Sequence, residues 1–176
     1  MTEPVGDTAH SGPVHVRRAT PDDADAISRL ALEVQEWHVA GRPDVFRPGG
    51  CDLAPEIAAR VASADQFYWV AVIGDAVIGY AYARVVDEPE NRWKWASRVL
   101  MLDQMGVASS HRRLGAGELL WDAVRETAVA RQVDRVVLNV WAFNTVARQF
   151  YERLGFTPFH ERMAIELGRP RPNGPR

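Results

Sequence analysis

At 176 residues, with 47% hydrophobic and 25% charged residues, the chain has the size and mix of one globular domain with a real core. Its formal net charge of −2 excludes a general nucleic-acid binder. A lone cysteine, Cys51, excludes an intramolecular disulfide framework and a thiolate zinc site. It sits in Pro48-Gly49-Gly50-Cys51-Asp52, a loop composition with no evident partner for a nucleophile. No apolar run is long enough to span a membrane, and the N-terminus lacks the pattern of a signal peptide. The expectation is a cytoplasmic protein with no membrane and no nucleic-acid partner.

In chain order, residues 1–13 and 168–176 are polar, Gly/Pro-containing stretches expected to be flexible tails around one domain over residues 14–167. Val14 to Arg18 reads as a strand. Thr20-Pro21-Asp22-Asp23 opens a helix, with Thr20 as cap, Pro21 in the first turn and Asp23 as the box acid. Ile27, Leu30, Ala31, Val34 and His38 recur at helical spacing along its buried face. Glycines and prolines from Gly41 to Gly50 predict a long loop. A second helix is predicted from Leu53 to Ser63.

Phe67 to Ile73 and Ala76 to Val86 are rich in aromatic and β-branched residues, and Gly74-Asp75 between them signals a hairpin. Val99 to Ala108 reads as a strand and Glu118 to Ala130 as a helix. Arg135 to Trp141 is a further strand and Asn144 to Arg153 a short helix stopped at Gly155. Phe156 to His160 and Glu161 to Leu167 read as a closing pair of strands. The order predicts an α/β (α+β) fold with a mixed sheet.

Arg112-Arg113-Leu114-Gly115-Ala116-Gly117 lies between a strand and a helix N-terminus, a natural anion site. It lacks the Gly-Lys-Ser/Thr of a nucleotide triphosphate loop. It also lacks the third small residue of a dinucleotide fingerprint, because Leu120 stands there. The remaining spacing, R-x-x-G-x-G on Arg112, Gly115 and Gly117, resembles the pyrophosphate loop of the GNAT superfamily of acetyl-CoA-dependent N-acetyltransferases. Downstream, Leu138-Asn139-Val140-Trp141-Ala142-Phe143-Asn144 leads to Phe150-Tyr151-Glu152-Arg153-Leu154-Gly155-Phe156. This resembles the second signature of the same superfamily, and the resemblance covers Val14 to Leu167.

The resemblance implies a mostly antiparallel central sheet flanked by helices, with the fourth and fifth strands splayed apart. It implies acetyl-CoA as co-substrate in the gap and no metal. Met105, Gly106 and Val107 then occupy the strand positions that bind the pantetheine arm, with a backbone N–H near Val107 for the oxyanion. Arg112, Arg113, Leu114, Gly115, Ala116, Gly117 and Glu118 line the pyrophosphate position. Asn144 matches a position on the cofactor arm, although capping the helix that starts there also explains it. Tyr151 matches the general acid that reprotonates the CoA thiolate, and helical periodicity alone explains it equally as core. Asp103 is the candidate general base, acting through a water, with a structural acid as the alternative. Glu36, His38 and Asp44 are weaker candidates.

One departure narrows the activity. Asn139 stands where ribosomal-protein N-terminal acetyltransferases of the superfamily carry a catalytic Glu. The leading expectation is acetylation of a small molecule's primary amine by direct attack in a ternary complex. Peptide or protein amine acetylation and a non-catalytic CoA-binding module are the alternatives. Trp37, Tyr82, Trp93 and Trp95, with Asp44, Asp87, Glu88 and Glu90, are expected to border the acceptor pocket, or else to be core and solvated loop. Many members dimerise, which makes a homodimer a further expectation.

Overall fold

A computed structural model describes residues 12–49 and 52–167. Gly50, Cys51, residues 1–11 of the expected N-terminal tail and the whole expected C-terminal tail, residues 168–176, lie outside the described residues.

The order is β1 (His15–Arg18), α1 (Ala24–Gly41), α2 (Ala54–Val61), β2 (Gln66–Ile73), β3 (Ala76–Glu88), β4 (Ser97–Val107), α3 (Ala116–Ala130), β5 (Arg135–Leu138) and α4 (Thr145–Arg153). The five strands form one sheet in sequence order. Neighbours are antiparallel except β4 and β5, which run parallel through the α3 crossover.

Strand alternation sorts two cores. On one face Phe67, Trp69, Ala71, Leu100 and Leu102 pack with Leu120 and Val124 of α3. On the other, Tyr68, Val70, Tyr80 and Tyr82 pack with Ile27 and Leu30 of α1 and Ile57 of α2. The helical spacing of α1 therefore buries Ile27, Leu30 and Ala31 and leaves Val34 and His38 half-buried.

The start of α1 is pinned by charge. Asp23 is buried and takes two guanidinium hydrogen bonds from Arg17, at 2.7 and 2.8 Å. It also accepts the Thr20 N–H at 2.8 Å, the acid's half of the predicted capping box. The Arg17 hydrogen bonds hold the Asp23 carboxyl below the usual carboxylate range, against the opposing effect of burial.

Two expectations fail at the C-terminal side. β5 ends at Leu138, three residues short of Trp141, because β4 no longer runs beside it there. The closing strands, Phe156 to His160 and Glu161 to Leu167, do not form among the described residues. Gly155, at φ +93°, turns the chain out of α4, and Phe156 anchors on Trp121 at 4.9 Å between ring centres. Pro158 follows, and beyond it Phe159, Met163, Ile165 and Leu167 remain exposed. Their apolar alternation has the period of a strand but finds no ladder in this chain.

Candidate active site

The site begins where the sheet comes apart. The β4–β5 ladder runs from Val99↔Arg135 to Leu102↔Leu138 and stops. β4 continues to Val107, paired only with β3. At the same point Tyr82 faces Gln104 while Ala83 faces Leu102, so Asp103 is an extra residue on β4, a bulge. The bulge flips the parity of the strand. Before it Leu100 and Leu102 face α3; after it Met105 and Val107 do.

Backbone donors follow from the same alternation. Ala108 gives its N–H to the Ile78 carbonyl on β3 at 2.8 Å. One and three residues earlier, Val107 and Met105 turn their N–H groups the other way when counted on the strand's two-residue period. Val107 therefore points its N–H into the gap, and Met105 points its own the same way. A strand edge left without a neighbour is a row of donors and acceptors awaiting a ligand.

Two layers close the gap. On one side is α1: a Cβ added at Gly106 would meet Val34 Cγ2 at 2.8 Å and Tyr80 at 3.3 Å. Glycine at 106 thus lets α1 and Tyr80 close onto β4. The Glu33 carboxylate on α1 also accepts the Ser109 N–H at 2.9 Å and stands 4.0 Å from Arg112. On the other side are α3 and α4, brought together at Gly117, where a Cβ would stand 3.1 Å from Phe150. Gly117 therefore has a packing reason beyond any ligand.

The glycine loop lies at the mouth. Arg113 has φ +66° and Gly115 φ +80°, the left-handed conformation that starts α3 at Ala116. Glycine adopts it without strain, and a Cβ at 115 would meet open space. The first-turn N–H groups, from Ala116 to Glu118, have no acceptor inside the helix and carry its positive dipole end. Arg112 and Arg113 flank them. This donor set has the chemistry that a pyrophosphate would need.

Tyr151 lies on α4 between Phe150 and Phe156, with ring centres 5.4 and 5.5 Å away. Burial pushes its phenol up to about 12, so it holds its proton at neutral pH. Tyr80 is fully buried, and its phenol is raised chiefly by burial, then by Tyr68 and by Tyr151. The two phenols are thus within electrostatic reach of each other. Tyr80 donates to Gln104 Oε1 at 3.1 Å, on the bulge. Sequence reasoning missed Tyr80 and Gln104; alternation marks Tyr80 as a strand residue and carries no sign of the bulge.

The other predicted residues separate. Asp103 is ion-paired with Arg84 at 2.7 Å. Asn144 caps α4, accepting the Ala147 N–H at 3.1 Å. Asp44 pairs with Arg42 at 2.5 Å. Trp93 and Trp95 are 84% and 85% exposed, so they are not core. Their loop precedes Ser97, six residues and about 20 Å of strand before the gap opens at Asp103. Tyr82 stacks on Tyr68 at 4.3 Å and is buried. Burial, without a carboxylate neighbour, holds the His38 imidazole below its ordinary value.

Over residues 31–156 the chain matches the acetyltransferase (GNAT) family. It belongs to that family. Its fold and its class as an acetyltransferase follow, and acetyl-CoA is the acetyl donor the family uses. The chain is similar to the crystal structure of a tetramutant of the BH1408 protein from Bacillus halodurans, with 27% identity and a TM-score of 0.81, covering 87% of this chain and 99% of that one. It is also similar to an aminoglycoside N-acetyltransferase, AAC(6')-Iy, in complex with CoA. There the identity is 17%, the TM-score 0.70, and the match covers 90% of this chain and 97% of that one. The same enzyme with a bisubstrate analogue, CoA-S-monomethyl-acetylneamine, matches at 18% identity and a TM-score of 0.67, covering 90% of this chain and all of that one. At these last identities the likeness is one of fold. No curated protein sequence matches the chain.

Proposed function

We propose that the protein transfers an acetyl group from acetyl-CoA to the primary amine of a small molecule, by direct attack in a ternary complex in the cytoplasm. The observation that carries this reading is the half-open β4. From Asp103 to Val107 the strand has backbone on one side and a gap on the other, with a helix N-terminus at the mouth. Among the described residues, no helix is long and apolar enough to cross a membrane.

Bound acetyl-CoA supplies the activated acetyl thioester. The chain's own residues supply the rest. Met105, Gly106 and Val107 hold the pantetheine arm along the open edge, as a fifth strand otherwise would. The Val107 N–H meets the carbonyl oxygen, where negative charge grows as the amine attacks. The Arg112–Glu118 loop takes the pyrophosphate with backbone N–H groups, aided by Arg112 and Arg113. Asn144 keeps its cap through Oδ1 and turns its amide N–H₂ to the arm. Tyr151, protonated at all physiological pH values, gives its proton to the departing thiolate. Asp103, steadied by Arg84, takes the amine's proton through a water.

The test is thiol release from acetyl-CoA with a panel of amines, beside calorimetric titration of CoA. CoA binding and amine-dependent thiol release are expected. CoA binding with no release from any amine or peptide would leave only a binding module.

A further inference from the structure

The reading above leaves the acceptor unnamed, and the inference drawn now rests on it. We infer that the acceptor is a monoamine with an aromatic or bulky apolar body, seated on a cluster of rings at the α1 side of the cleft. The rings are His38, Phe46, Trp141 and Phe143.

The cluster spans the gap's two banks. α1 touches β4 through Val34 at Gly106, and one turn later His38 meets Phe143, beyond the end of β5, with ring centres 6.3 Å apart edge to face. Phe143 lies so close over Gly41 that an added Cβ there would stand 2.1 Å from its ring. Phe46 stacks on His38 at 4.9 Å and meets Trp141 edge to face at 5.0 Å. The loop that carries Phe46 is fixed by its own backbone. Val45 and Phe46 both donate to the Arg42 carbonyl at 2.9 Å, and Gln35 holds the Arg47 carbonyl at 2.8 Å. None of the four rings is fully buried, and Trp141 is 39% exposed, so the set presents apolar surface at the cleft. Burial disfavours the charged form of the His38 imidazole, which packs there as one more ring.

Charge argues against the polycationic alternative. A polyamine or aminoglycoside needs several carboxylates, and those around the cleft are engaged. Asp44 and Glu166 both lie on Arg42, at 2.5 and 3.6 Å. Asp103 lies on Arg84, and Glu33 takes the Ser109 N–H beside Arg112. Glu36 is exposed and sits two residues from His38, on another side of α1. Asp87 and Glu88 end β3 and Glu90 follows them, beside the Ser97 end of β4 and away from the gap. Rings accept one ammonium through their faces and the rest of the acceptor through apolar contact.

The test compares 2-phenylethylamine and tryptamine with neamine, sisomicin and spermidine, by thiol release from acetyl-CoA. The expected result is a kcat/KM for the arylalkylamines higher by about tenfold or more, the discrimination an apolar pocket typically achieves. Trp141→Ala is expected to raise KM for tryptamine with kcat retained, while the CoA titration stays as in the wild type. Preferred turnover of neamine, sisomicin or spermidine would overturn the acceptor class and leave the acetyltransferase reading standing. An unchanged KM in Trp141→Ala would remove the ring cluster. Thiol release from no amine, with CoA bound, would overturn the acetyltransferase reading and this inference with it.

Discussion

The two halves of β4 are one strand with two fates. From Val99 to Leu102 it has neighbours on both sides, and Val99, Leu100 and Leu102 are buried. From Asp103 to Val107 it keeps one neighbour, and its residues are half-buried or exposed. The first half holds the sheet together. The second forgoes a row of hydrogen bonds and so keeps a backbone edge for a ligand. The transition needs only one added residue at the bulge and a β5 that stops at Leu138.

The contrast predicts that damage to the paired half costs stability and damage around the open half costs turnover. Leu100→Ala, at a fully buried site, is expected to lose about 2–5 kcal/mol in chemical denaturation. A loss below that range would mean the paired half is not the structural half. Tyr151→Phe is expected to lower kcat about a hundredfold, with CoA affinity and melting temperature nearly unchanged. Full turnover in that variant would take Tyr151 out of the mechanism.

The pH profile sharpens the same assignment. A phenol with its pKa raised to about 12 by burial stays protonated below that pH. Tyr151 therefore should give kcat/KM no alkaline limb between pH 7 and about 10, where an ordinary tyrosine would begin to ionise. A limb that disappears in Tyr151→Phe would contradict the burial.

Smaller effects are expected at the edges of the site. Asn144→Ala should cost about 1 kcal/mol through the lost cap of α4, together with a weaker CoA titration. A stability loss with CoA affinity intact would leave Asn144 as a cap alone. Arg84→Gln, breaking a partly exposed pair with Asp103 at the bulge, should cost less than about 1 kcal/mol.

What the sequence reveals of this fold depends on period and punctuation. The helix stripes, the Gly74-Asp75 hairpin and the order of the first nine elements are written in side chains that recur every two or every 3.6 residues. The bulge is not, since Asp103 breaks no pattern by itself. The ion pair of Asp103 with Arg84, 19 positions away, is a product of register and invisible to local reading. The closing strands mislead for the opposite reason. Met163, Ile165 and Leu167 alternate as a strand should, but pairing is a property of two segments. The glycines carry two messages. Gly115 marks a left-handed turn, whereas Gly106 and Gly117 mark close approaches by Val34 and Phe150 that only the fold discloses.

The central claim is that the unpaired edge of β4 receives acetyl-CoA. Hydrogen exchange at single amides tests it most directly. In the free protein, the N–H groups of Met105 and Val107 should exchange quickly, and those of Leu100 and Leu102 slowly. Adding acetyl-CoA should slow Met105 and Val107 and leave the paired half as it was. Protection that appears elsewhere, with Met105 and Val107 unaltered, would contradict the account.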